Sequence, residues 1–206
     1  MRSIKFISAL AAFFLLLTHV AIAAAPADEA ADFVKDLATK VLAIFNDPHL
    51  SAAQREDRLY PIALQFFDVP RIARFTLGRF WNDTPAQQRN DFTDAFQHYI
   101  VRVYAGQFEL HHDVDFQVVN ARPEDPTRTF VRTRLLRHDG GPPITLDWRV
   151  SKRTGSNKIV DVSVEGVSQL LTLRDQFVSV IQSHGNSVAA LTQELRARNA
   201  AARAAG

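Results

Sequence analysis

Ile159-Val160-Asp161-Val162-Ser163-Val164-Glu165-Gly166-Val167-Ser168-Gln169-Leu170-Leu171, followed by Leu173-Arg174-Asp175-Gln176-Phe177, changes its period halfway along. Its first half alternates apolar and polar residues as a half-buried β-strand does, and its second half has helical spacing. Gly166 stands at the junction, where the chain must turn and a residue without a Cβ meets no steric penalty. Ser168 is placed to cap the helix that follows. The surrounding Glu165-Gly166-Val167-Ser168 is not the G-x-S-x-G elbow of a nucleophilic serine.

The period of two also holds upstream, in Val114-Phe116-Val118, in residues 130–136 and in residues 144–150, so residues 159–164 are the last of four expected strands. Arg122-Pro123-Glu124-Asp125-Pro126 and Asp139-Gly140-Gly141-Pro142-Pro143 are the clearest breaks between them. Turns this short join antiparallel neighbours, because parallel strands need long crossovers. Before the strands the period is helical. Residues 30–45 carry Phe33, Val34, Leu37, Val41, Leu42 and Phe45 on one stripe. Ser51 opens a second helix through Leu59, with Pro61 kinking it or starting another turn. Asp68 caps a short third helix around residues 71–77 that Gly78 closes. Thr84-Pro85 starts a long fourth helix reaching about Leu110. After the strands come helices over residues 167–183 and 187–198, divided by His184-Gly185-Asn186, and an alanine-rich end at residues 200–206 that is expected to fray. Helices, then one antiparallel sheet, then helices make an α+β fold with the helices covering one sheet face.

Arg2 and Lys5 precede an apolar run from Phe6 to Leu17 and the small-residue stretch Ala21-Ile22-Ala23. A basic start, a short apolar core and an A-x-A site mark a secretory signal peptide over residues 1–23. Residues 24–199 then form one domain. Without Arg2 and Lys5 the 24 basic residues become 22, equal to the 22 acidic ones. The mature chain is formally neutral, so its charge gives no support to nucleic-acid binding. The chain has no Cys, which excludes disulfides and thiolate metal sites and leaves stability to a hydrophobic core.

The Glu165-Gly166-Val167-Ser168 junction, with Arg174, Gln176 and Phe177 after it, resembles the MlaC (toluene-tolerance) family of periplasmic phospholipid carriers. Three further segments are similar to that family in the same order. Phe67-Asp68-Val69-Pro70-Arg71 runs on to Leu77-Gly78-Arg79-Phe80-Trp81; Thr84-Pro85-Ala86-Gln87 starts the next helix; Phe92, Phe96, Tyr99 and Tyr104 mark a long aromatic-rich helix. The likeness spans residues 32–195. Asp147-Trp148-Arg149 departs from it, where the family more often has a Tyr, and so does Asn157-Lys158-Ile159, where a Trp usually precedes the Lys. These departures leave open a hopanoid-associated, HpnM-like branch. The resemblance implies a curved antiparallel sheet like that of nuclear transport factor two, a helical subdomain and a lipid cavity between them. It also implies phospholipid or a related lipid as ligand, and two partners: an inner-membrane MCE-domain ABC transporter complex and an outer-membrane lipoprotein-porin complex.

Phe92, Phe96, Tyr99 and Val103 fall on one stripe of the long helix, widened by Ile100. Periodicity alone makes the stripe ordinary core, while the family resemblance makes it lining for acyl chains. Both can hold, since a lipid cavity is a core with space left in it. Facing it, Trp148 and Val150 from the sheet would give a second apolar wall, and Leu77, Trp81, Val167 and Leu171 complete the candidate lipid-binding set. His111-His112-Asp113, with His98 or Glu109, invites a metal reading, but adjacent residues at a helix-to-strand transition point apart and make a poor ligand set. Arg71, Arg74 and Arg79 suit a phosphate or simply a solvated face with Asp68 and Asp83. An enzyme would need an acid or base in the cavity, for which only His98, Asp147 and Glu165 are scattered candidates. No catalytic residue, metal or cofactor is expected.

Overall fold

A computed structural model describes residues 26–109 and 113–205. The expected signal peptide and the His111-His112 pair lie outside the described residues. Among the described residues five helices come first: α1 (Pro26–Phe45), α2 (Ala52–Phe66), α3 (Val69–Leu77), α4 (Phe80–Asp83) and α5 (Ala86–Glu109). The strands β1 (Val114–Asp125), β2 (Arg128–Arg137), β3 (Ile144–Ser151), β4 (Lys158–Val164) and β5 (Val167–Ser168) follow, and α6 (Gln169–Ser183) and α7 (Val188–Ala205) end the chain. The strands pair in chain order as an antiparallel meander, the α+β arrangement expected from the alternation of periods. Register shifts between Val118 and Asn120 in β1 and between Arg149 and Val150 in β3 mark irregularities of the kind that bend strands and curve a sheet.

The turn that decides the fold is tighter than a plain strand-to-helix junction. Val164 pairs with Val167 and Ser163 with Ser168, so Glu165 and Gly166 are the two central residues of a hairpin. Both have positive φ, 48° and 82°, as a type I′ turn requires. Glu165 is an unusual residue in that region, and it is held there from both ends. Its N–H donates to the Thr145 carbonyl at 3.0 Å and its carboxylate accepts the Thr145 N–H. Ser168 Oγ then accepts the Leu171 N–H at 3.2 Å and caps α6.

Other ends follow their capping residues. Ser51 and Gln54 form a reciprocal capping box at α2, with bonds of 3.2 and 2.9 Å. Asp68 accepts the Arg71 N–H at 3.3 Å to cap α3, and Gly78 ends it at φ 54°. Four expectations are corrected. The second helix does not stop near Leu59; α2 runs through Pro61 to Phe66, whose wholly buried ring anchors its last turn. Thr84 does not cap α5: its hydroxyl donates to the Phe80 carbonyl at 2.6 Å and closes α4, an unforeseen single turn. β1 does not break at Arg122-Pro123 but continues to Asp125, because an edge strand has a free side on which a missing N–H costs no ladder bond. α7 continues to Ala205, since alanine is the strongest helix former.

Three buried clusters result. A helical core gathers Ala73 and Leu77 of α3, Phe92 and Phe96 of α5, Phe177 and Ile181 of α6 and Leu191 of α7. A sheet core sets Val34 and Leu37 of α1 against Val131, Trp148 and Ile159. A third joins Ile44 and Phe45 of α1, Leu59 of α2 and Val101 of α5. The α2–α3 junction is pinned to the sheet where the Asp68 N–H donates to the Ile159 carbonyl at 3.0 Å, beside a parallel bridge from Phe67 to Ile159.

Candidate functional site

Between these clusters lies a cavity of about 410 Å³. The inward face of the sheet is one wall, through Leu146 and Trp148 of β3 and Val162 and Val164 of β4. Strand alternation builds it: Asp147 and Arg149, the neighbours of Trp148, point to the other face, where Asp147 takes a two-pronged pair from Arg132 at 2.7 and 2.8 Å. Trp148 is fitted to an apolar wall because its polar atom is already used. The indole N–H donates to Thr133 Oγ1 at 2.9 Å, and the Thr133 hydroxyl donates to the Leu146 carbonyl at 3.2 Å. The opposite wall is α5, through Phe96, Ile100, Val101 and Tyr104; α1 and α2 close one side with Val41 and Ile62, and α6 the other with Leu170 and Leu173.

No Asp, Glu, His, Lys or Arg lies among the described residues that line this space; its polar side chains are Gln97, Tyr104 and Gln169. The scattered acid–base candidates sit elsewhere. His98 stacks on Tyr60 at 4.5 Å, Asp147 is paired outside, and Glu165 is spent on its turn. No cluster able to hold a metal is present among the described residues. Asp113 instead meets His138 Nδ1 at 2.8 Å, while Asp115 meets the other ring nitrogen at 3.1 Å; Asp115 and then Asp113 hold that imidazole above its ordinary pKa. Tyr104 is kept protonated by burial first, and then by the charge of Asp161 and by Tyr99, all of which raise its pKa. Arg71 reaches Ser151 Oγ at 3.4 Å, Arg79 lies over the Phe80 ring at 5.0 Å, Arg74 is exposed, and none of the three lines the cavity.

Of the ten candidate lipid-binding residues, the structure puts Phe96 and Trp148 on the cavity wall. Leu77, Phe92, Trp81 and Tyr99 belong to the helical core or pack against it. Val150 is buried in the sheet core. Val103 is half-buried and off the wall, and Val167 and Leu171 are exposed at 58% and 51%. On α5, Phe92, Phe96 and Tyr99 pack with the helical core, Phe96 also reaching the cavity, and the rest of the α5 lining comes from residues 97, 100, 101, 104 and 105. The stripe of α1 reads as an apolar face, and periodicity alone does not set Val41 and Leu42 beside a cavity. Its width was the available signal, since Leu37, Val41, Leu42 and Phe45 exceed what one partner surface covers.

Asp161 is a further residue that the strand pattern hid. Its buried carboxylate receives the Arg149 guanidinium at 2.9 Å, the Ser168 hydroxyl at 3.0 and 2.9 Å and the Leu170 N–H at 3.3 Å. It thereby fixes the start of α6 against β4 and sets Leu170 and Leu173 at the cavity.

Comparison with known proteins places the chain. A family model described as MlaC protein matches residues 35–197. The intermembrane phospholipid transport system binding protein MlaC of Haemophilus influenzae is 26% identical over 162 residues, which are 76% of this chain and 73% of that protein. Among solved structures, a phospholipid-binding protein from Ralstonia solanacearum, in complex with a phospholipid, superposes with a TM-score of 0.71 at 29% identity, covering 84% of this chain and 97% of that one.

Proposed function

The chain belongs to the MlaC protein family, and on that premise we propose that it is a periplasmic lipid carrier, a binding protein and not an enzyme, which buries phospholipid acyl chains and shuttles lipid between the outer and inner membranes. The observation that supports this is an apolar cavity of about 410 Å³, with no acid or base among the described residues that line it, in a fold that holds a phospholipid in the Ralstonia solanacearum protein. The energetics demand such a cavity. A two-chain lipid exposes roughly thirty methylenes, and at ~0.8 kcal/mol each their contact with water costs on the order of 25 kcal/mol. Only a protein that covers the chains can carry them through an aqueous compartment.

The carrier would load and unload at an inner-membrane MCE-domain ABC transporter complex and an outer-membrane lipoprotein-porin complex. Neither relative described above is named for hopanoids, and phospholipid is the ligand proposed. Lipid extraction and native mass spectrometry of protein purified from the periplasm test the reading. Stoichiometric phospholipid is expected; folded protein that is lipid-free when isolated and that cannot be loaded from vesicles would overturn it.

A further inference from the structure

Of the three polar residues on the cavity wall, two have their amide donors engaged by the protein. Gln97 donates to Asp94 Oδ1 at 3.3 Å and Gln169 to the Val167 carbonyl at 3.0 Å. Tyr104 differs. It lines the cavity, its phenol has no hydrogen bond to any described residue, and its oxygen is not sealed off inside the protein. An unpartnered phenol on the wall of an apolar cavity is free to donate to an acceptor that a ligand brings. Burial and the neighbouring Asp161 charge keep the phenol neutral, so the proton is available to donate across the physiological range.

The acyl chain that the apolar walls suit offers one kind of acceptor where it joins the rest of the lipid: its ester carbonyl. We propose that Tyr104 is the polar anchor of the cavity, donating its hydroxyl hydrogen to the ester carbonyl at the head of a bound acyl chain, and so making the carrier prefer acyl-ester lipids over alkyl-ether lipids. This rests on the carrier reading above. An ether oxygen is the weaker acceptor, and the apolar walls cannot tell the two lipids apart, so the difference isolates the anchor.

The test uses the chain without residues 1–23, stripped of lipid and reloaded from vesicles holding equal amounts of diacyl and dialkyl phosphatidylethanolamine. The wild type should take up the diacyl form in roughly fivefold excess, the size of one net hydrogen bond. Tyr104→Phe should load both forms equally, with total lipid still stoichiometric. Tyr60→Phe, a phenol off the cavity wall, should keep the wild-type ratio. A wild type without preference, a Tyr104→Phe protein that retains it, or a Tyr60→Phe protein that loses it equally would overturn the assignment. So would a folded Tyr104→Phe protein that loses both lipids, because one hydrogen bond is too small to hold a lipid. A wild type that loads neither lipid strikes the carrier reading itself, and the anchor falls with it.

Discussion

Helix α5 borders two interiors that share residue types and differ in how they are filled. On the side of α6 and α7, Phe92 and Phe96 each meet Phe177 edge-on, with ring centroids 6.0 Å apart and planes at 89° and 84°. On the side of the sheet, Ile100, Val101 and Tyr104 face about 410 Å³ of space. Composition does not separate the two, since both are apolar and partly aromatic. The supports do. α5 packs along α7 and against α2 and α3, and Arg102 clamps it to Glu56 of α2 through two bonds of 2.8 and 2.5 Å while also reaching the Asn199 carbonyl of α7. These contacts hold α5 at a distance that the lining side chains do not span. Close packing is the rule in protein interiors, so a large gap marks a site rather than a fault.

The largest effect expected from breaking this contrast lies on the closed side. Phe177→Ala removes the ring against which Phe92 and Phe96 pack, and should cost about 3–5 kcal/mol in denaturant unfolding. Val162→Ala, on the cavity wall, should cost less than about 1 kcal/mol, because its side chain already borders space and leaves little new void. Equal losses at the two sites would mean that the cavity closes in the unliganded protein.

Asp161 comes next, at the seam between sheet and helices. Asp161→Ala leaves the Ser168 hydroxyl and the Leu170 N–H without their acceptor and removes the nearer of the two carboxylates that pair with Arg149, Glu124 at 3.5 Å remaining, for an expected loss of about 2–4 kcal/mol. It should also weaken lipid retention, since α6 loses its register with β4. A variant that unfolds earlier yet holds lipid as the wild type does would show that α6 is placed by the helical core alone.

How much of this was legible follows from range. Caps and turns act over a few residues, and Ser51, Asp68, Gly166 and Ser168 were each placed from the sequence. Thr84 shows the limit even there: a hydroxyl can serve the helix behind it as well as the one ahead, and the sequence does not say which. Strand alternation assigned Trp148 correctly to the inner face. Periodicity could not divide α5 between its two neighbours, because a helix flanked by apolar surfaces on two sides carries two adjoining stripes, and here they share Phe96 and Ile100. The Phe-rich stripe is the larger and belongs to the packed core. Cavities favour the lesser stripe, whose side chains leave room.

Ala105→Trp tests the cavity by filling it. Ala105 is a small residue of the α5 wall, and an indole there would occupy space that acyl chains need. Co-purifying lipid should fall at least tenfold, with a stability loss of about 1–3 kcal/mol, since Ala105 also packs against the cluster of Phe45, Leu59 and Val101 and the added ring only partly enters a void. Full lipid loading by a folded Ala105→Trp protein would place the tails elsewhere.

The smallest effect is expected two positions earlier on the same helix. Val103 belongs to the stripe that sequence periodicity favoured, yet it is half-buried and does not line the cavity. Val103→Trp puts the same large ring on α5 at a different angle, since two residues rotate a helix by more than half a turn. It should therefore carry wild-type amounts of lipid, with at most a modest loss of stability from crowding the neighbouring helices. Measured beside Ala105→Trp by the same lipid extraction, the pair locates the boundary between the two interiors to within one helical turn. If Val103→Trp strips the lipid as completely as Ala105→Trp, that boundary is misplaced, and the broader stripe of α5, not the narrow one, faces the chains.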